Sequence, residues 1–215
     1  MGSIRKGVLG GFMGKVGSVV GSKWKGTYLL RSLPEVIKRK NISLKCLQQR
    51  ARFTQTNRFI SDARHLVRLG FRPVSKNRTT FNAAYDANDT FFQFENDHVV
   101  ADFPNLQLSK GGLSKLENVH LTLDETGVLQ IRWGTVDIIQ VDGEECMVHL
   151  FVYRDDMQYS KSYIDLAKAS DMSAEVMLTD SMKGHKLHLY AFYCTASALT
   201  KDYVSKTSYA EISAS

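Results

Sequence analysis

From residue 119 to the end of the chain, apolar and polar side chains alternate with the period of two that marks β-strands. The alternation predicts strands over His120–Leu123, Val128–Trp133, Cys146–Tyr153, Tyr163–Leu166, Ala174–Leu178, Leu187–Cys194 and Tyr203–Ile212. Asp124-Glu125-Thr126-Gly127 is a hairpin turn between the first two. Seven short strands in about 100 residues predict a β-sandwich of the immunoglobulin or fibronectin-III kind over 119–215. Trp133 precedes both Cys146 and Cys194, so the immunoglobulin order of Cys, Trp, Cys is absent and the fibronectin-III variant fits better. Trp133, Leu150, Val152, Leu189, Ala191 and Tyr193 are the expected inward-facing core.

Upstream the period changes. Residues 42–72 predict an amphipathic helix with Ser43 as N-cap and Gly70 as stop. At 100° per residue, Phe53, Phe59, Ile60, Ala63, Leu66 and Val67 share one arc, and Arg50, Arg58, Arg64 and Arg68 form a stripe opposite. Arg52 falls inside the apolar arc and requires a buried partner. Residues 73–118 alternate aromatic and polar stretches, as in Thr90-Phe91-Phe92-Gln93-Phe94, and are expected to be a connecting β and irregular segment. Residues 1–41 carry glycine at short intervals between Phe12, Val16, Val19, Val20, Trp24 and Tyr28. So many glycines disfavour a helix, and so many apolar side chains disfavour a linker. The expectation is an extended basic arm whose apolar residues lie against another surface.

Charge sharpens this division. The net charge is only +6. Residues 1–80 nevertheless hold 18 of the 28 Lys and Arg against Glu35 and Asp62 alone, a balance of +16, which leaves −10 for residues 81–215. A basic arm and an acidic body suit either an external polyanion or head-to-tail association between copies. The candidate residues for either are Lys23, Lys25, Arg31, Lys38, Arg39, Lys40, Arg50, Arg58, Arg64 and Arg68.

The search for reactive chemistry returns little. Gly14-Lys15 is not a phosphate loop, since position 9 is Leu and position 16 is Val. Glu144–Glu145 and Asp155–Asp156 fall in expected turns, and His185 and His188 are spaced to opposite faces of a strand. Three cysteines without CxxC spacing disfavour a disulfide framework and a zinc site, although Cys146 and Cys194 could pair if their strands face each other. The expectation is a non-enzymatic chain with no catalytic residues, cofactor, metal or small-molecule substrate. Neither a signal peptide nor a membrane span is evident, since Val8–Val20 is broken by glycines and Lys15. Synthesis in the cytoplasm is expected, with the final location, virion and extracellular assembly included, left open.

The run Gly7-Val8-Leu9-Gly10-Gly11-Phe12-Met13-Gly14-Lys15-Val16-Gly17-Ser18-Val19-Val20-Gly21, followed by Trp24-Lys25-Gly26 and Arg31-Ser32, resembles an uncharacterised family of about 210 residues from Bacteroidota. The resemblance extends through Gln49-Arg50-Ala51-Arg52-Phe53 into the C-terminal strands and implies no activity. The functional expectation is therefore a structural subunit that self-assembles, as a filament, virion component or other multimer. Its N-terminal arm would dock on neighbouring subunits, with Phe12, Val16, Val19, Val20, Trp24 and Tyr28 as contact residues. The alternative is a nucleic-acid-binding or packaging protein that uses the basic arm and helix.

Overall fold

The computed structural model describes residues 3–4, 10–24, 26–33, 42–74, 78–124, 126–136, 140–141, 143–157, 159–195 and 203–213. Lys25, Lys38, Arg39 and Lys40 lie outside the described residues. The chain divides into two compact units, Met1–Ser43 and Leu44–Ser215.

In the first unit the glycine-rich residues pair with one another. β1 (Ser3–Ile4), β2 (Phe12–Val16), β3 (Val19–Trp24) and β4 (Thr27–Ser32) form an antiparallel meander in chain order. This corrects the expectation of a single extended arm: the glycines let neighbouring strands and rings come close. At Gly21, which pairs with Gly14, a Cβ would collide with the carbonyl and ring of Phe12.

The second unit is built on two long neighbouring strands, β10 (Glu144–Arg154) and β13 (Lys186–Thr195). They occupy the middle of a sheet ordered β11 (Ser160–Lys168), β10, β13, β14 (Ser208–Ser213), with β9 (Gln140–Val141) joined to the start of β10. Their registered pairs alternate between two hydrophobic cores. Val148↔Tyr193, Leu150↔Ala191 and Val152↔Leu189 face a small sheet ordered β12 (Ser173–Met177), β8 (Val128–Arg132), β7 (His120–Leu123). All six core residues expected from the sequence lie in this sheet-on-sheet core. Fold class is mainly β, with a fibronectin-III-like sandwich at its centre.

The opposite face of the long strands is covered as well. Phe151, Tyr153, Tyr190 and Phe192 pack beneath α1 (Leu44–Asp62), α2 (Arg64–Gly70) and the β5 (Phe92–Glu95)–β6 (His98–Ala101) hairpin. Phe59 of α1 sits at the centre, with its ring 5.3 Å from Tyr153, 5.8 Å from Tyr190, 5.9 Å from Phe151 and 6.1 Å from Phe92. These are tilted and edge-to-face contacts, the arrangements favoured by ring quadrupoles. The helix pattern breaks only at Ala63, where the backbone bonds Ala63 N to Phe59 O and Val67 N to Ala63 O keep the two helices almost continuous. Gly70 ends α2 because a Cβ there would meet the Leu108 carbonyl, so its role is close packing rather than left-handed backbone.

Two expectations are corrected, and the one cysteine pairing left open is decided. Thr80–Asn88 is a further helix, α3, capped by the Thr79 hydroxyl accepting from Asn82 N, where a β or irregular connection was expected. Phe53 is 54% exposed instead of joining its arc in the core, and it packs against Tyr85 at 5.4 Å. Cys146 and Cys194 are both free: Cys146 pairs with Thr195 and Cys194 with Met147, so the two thiols belong to opposite faces of one sheet. Arg52, by contrast, finds the partner its position requires, donating to the carbonyls of Phe92 (2.7 Å) and Asp89 (3.0 Å) beside the Asp89 carboxylate.

Phe59→Ala removes the ring on which the helical layer is centred. Truncating a buried Phe costs about 3–5 kcal/mol. Urea denaturation of the variant is expected to show a loss in this range, against less than about 1 kcal/mol for the exposed Phe53→Ala.

Candidate functional site

Strand register sorts the N-terminal candidates onto two faces of the meander. Phe12, Val16, Val19 and Tyr28 share one face with Leu30 and Lys23, whose ammonium lies 5.4 Å from the Tyr28 ring centre. Val20 and Trp24 share the other with Met13, Lys15, Leu29 and Arg31. Among the described residues of this unit only Gly21 is buried; Trp24 is 48% exposed and Leu30 64%. Among its described residues the sheet is a single layer carrying large apolar side chains on both faces, whereas a sheet reaches stability by packing its apolar face on a second layer.

The helical candidates form a separate surface. Arg50, Arg58, Arg64 and Arg68 are exposed along roughly 27 Å of helix at 1.5 Å per residue. None of the four is in an ion pair among the described residues. They stand outward because the opposite arc, from Phe59 to Val67, is spent on the central sheet.

Two further constellations were not found by reading the sequence. The first is a cleft of about 430 Å³ at the open end of β13 and β14. Lys186 pairs with Glu211 at 2.9 Å, and the Tyr209 hydroxyl donates to Glu211 at 2.7 Å. With that proton committed, His188 Nδ1 donates to the Tyr209 oxygen at 2.7 Å. Nε2 is left as a lone-pair acceptor with no hydrogen-bond partner. His188 is only 4% exposed and stacks on Phe103 at 3.8 Å, and burial first, then Lys186, lowers its pKa. Phe91, Glu95 and Asp102 complete the wall. Neither Glu95 nor Asp102 has a basic partner among the described residues. The sequence signal was Lys186-x-His188 against Tyr209-x-Glu211, legible only once the strand register is known.

The second is a buried polar group on β10 and β13. A bulge in β11 places Asp165 at φ +52° and directs its N–H to His149 Nδ1 at 3.1 Å. His149 therefore carries its proton on Nε2, 3.2 Å from Cys194 Sγ. Arg72 donates to the same sulfur and, at 2.7 Å, to the Thr195 carbonyl. Burial pushes the Cys194 thiol up to about 11 and the His149 imidazole down to about 4. This tautomer donates to the sulfur rather than accepting its proton, so the imidazole does not generate a thiolate. Among the described residues no group of three or more His, Cys, Asp and Glu is placed to hold a metal ion, and no helix is long and apolar enough to cross a membrane.

The profile of a family of unknown function, DUF6266, matches residues 11–204. The chain belongs to that family. The DUF6266 match thus takes in the meander, the helices and most of the sandwich, consistent with the uncharacterised family that the N-terminal motif resembles. A search among curated proteins returned no match. Among solved structures, the DUF6266 chain is similar to the solution structure of the fn3 domain of human collagen alpha-1(XX) chain. Identity is 17% and the TM-score 0.35, covering 50% of this chain and 90% of that one.

His149 makes folding pH-dependent. Its folded pKa of about 4 lies below the ordinary 6.5, so between these values the unfolded chain binds more protons than the folded one. Stability is full above pH 6.5 and falls as pH drops toward 4, by up to about 3 kcal/mol for this one buried group. Urea denaturation at pH 7 and pH 4.5 is expected to show a smaller difference in His149→Gln than in wild type, even though the variant is less stable at pH 7.

Proposed function

We propose that the chain is a non-enzymatic structural subunit that self-assembles through its N-terminal sheet. The observation that carries this reading is the meander's single layer among the described residues, apolar and exposed on both faces and set in a basic part of the chain. Residues 1–43 hold nine Lys and Arg against Glu35 alone, while the acids concentrate after residue 80. Among the described residues, both hydrophobic cores are made from 44–215. A segment that displays Trp24, Tyr28, Leu29 and Leu30 suits a contact made with another subunit.

Removal of residues 1–43 is expected to leave a folded, cooperatively unfolding monomer, whereas the full chain forms multimers that weaken as salt rises. Equal masses for the two in sedimentation, with the full chain monomeric at high concentration, would overturn the reading.

A second reading rests on the arginine column of α1 and α2. Four exposed guanidiniums with no ion pairs among the described residues suit a run of phosphates, such as a nucleic-acid backbone. Replacing Arg50, Arg58, Arg64 and Arg68 together by Gln is expected to reduce the slope of log K against log salt for a DNA duplex by about 3.6, at roughly 0.9 per phosphate contact. Wild-type protein that binds no duplex at low salt would sink this alternative.

A further inference from the structure

The proposed assembly leaves open which surface receives the N-terminal sheet. We infer that the cleft at the end of β13 and β14 receives the β3–β4 hairpin of a second copy, with Lys23 and Trp24 entering it. This inference rests on the self-assembly reading and adds the receiving site.

The chemistry of the cleft selects its occupant. Its Glu211 charge is already balanced by Lys186, whereas Glu95 and Asp102 face it without a basic partner among the described residues. The His188 ring, held with Nδ1 donating to Tyr209, has only the Nε2 lone pair left to offer, and that atom is buried and without a hydrogen-bond partner. Two carboxylates without a basic partner among the described residues, of which Asp102 accepts only from the neutral Asn105 amide at 2.8 Å, with the buried acceptor nitrogen of His188 beside them, favour a cationic occupant that donates hydrogen bonds. Phe91 and Phe103 supply apolar and π surface beside the carboxylates, which suits a cation accompanied by an aromatic ring. At about 430 Å³ the cleft is within the usual range for ligand pockets, of roughly 300–1,000 Å³.

The chain itself carries a matching group. At the end of the β3–β4 hairpin, Lys23 and Trp24 are both exposed and stand on opposite faces, so a hairpin entering end-on turns the ammonium to one wall of the cleft and the indole to the other; Lys25 follows in sequence. Trp, with Tyr and Arg, is enriched among the residues that dominate interface energetics; here Trp24 supplies the ring and Lys23 a point charge. Charge complementarity extends beyond the contact, since a strongly basic unit approaches the acidic part of the other copy. Insertion of one copy's hairpin into the next copy's cleft is a heterologous contact, which propagates into a ring or a filament.

The test uses the full chain. Glu95→Lys with Asp102→Lys changes two exposed side chains and is expected to leave thermal unfolding unchanged while weakening self-association at least tenfold in sedimentation. Acrylamide quenching follows the occupant directly. Trp133 is buried already, so the quenchable tryptophan is Trp24, and wild type is expected to protect it progressively as protein concentration rises. The cleft variant is expected to lose that protection, and adding Lys23→Glu with Lys25→Glu to restore association to within about threefold of wild type by exchanging the two signs. Wild-type association of the cleft variant, alongside a monomeric deletion of residues 1–43, would overturn the cleft as receiver and leave self-assembly standing. Trp24 protection that does not depend on concentration would assign the cleft to the same chain's hairpin and overturn the second copy as occupant. A full chain that stays monomeric would overturn both.

Discussion

The structure of the larger unit depends on β10 and β13 being apolar on both faces. A strand buried on one side only can keep every second residue polar, and its sheet can stop at two layers. Here Val148, Leu150, Val152, Leu189 and Ala191 require one cover, and Phe151, Tyr153, Tyr190 and Phe192 require another. The small β12–β8–β7 sheet meets the first demand and the helices with the β5–β6 hairpin meet the second. Phe59 is the point where the second cover engages. Four sheet and hairpin rings converge on it, and the same helix face continues through Ile60, Ala63, Leu66 and Val67.

Burying both faces also forces the polar groups of these strands to find partners inside the protein. His149 and Cys194 sit on the helix-facing side, where water is excluded, and are satisfied by the Asp165 amide and by Arg72. The β11 bulge is what brings that amide into reach, at the expense of a left-handed backbone at a non-glycine residue. Asn88 answers the same constraint between α3 and the following loop. Its side chain donates to the carbonyls of Ala84 and Gln107 and accepts from Gln107 N, all within 2.8 Å. These groups are consequences of the three-layer packing, and they explain why strongly shifted histidine and cysteine protonation accompanies a core rather than a reactive pocket.

Much of this was legible in the chain. Period-two alternation located β7, β8, β12 and the hairpin turn at Asp124, whose carboxylate accepts from the Thr126 and Val128 amides. The apolar arc of α1 and α2 was read correctly except at Phe53, which belongs to the first half of α1, where Leu44 and Leu47 are exposed as well. The second cover was signalled by the apolar runs Cys146–Tyr153 and Leu187–Cys194, interrupted only by His149 and His188, but those runs say only that something packs on each face. Helix α3 escaped because Phe81, Tyr85 and the aromatics after it mimic strand alternation, while its cap at Thr79 is one hydroxyl. The cleft could not be read at all, since Lys186, His188, Tyr209 and Glu211 become neighbours only through the β13–β14 register, and Glu95 and Asp102 through packing of the β5–β6 hairpin.

The two units answer the burial problem in opposite ways, and that contrast bears on function. The larger unit encloses its apolar strands from both sides using residues from its own span. The meander places Trp24, Leu29 and Met13 on one face and Val16, Tyr28 and Leu30 on the other, with no second layer among its described residues. Hydrophobic free energy scales with the apolar area removed from water, so the larger unit has already realised its share while much of the meander's remains to be gained on contact. Charge follows the same division. Arg50, Arg58, Arg64 and Arg68 stand on the outer arc because the inner arc is committed to the sheet, and nine further bases against Glu35 alone lie in the unit whose apolar surface is exposed. Apolar area supplies attraction without choice of partner, whereas segregated charge selects the orientation in which basic meets acidic. Combined in one chain, they underlie the proposal of a directional contact between unlike surfaces over symmetric pairing of two basic sheets.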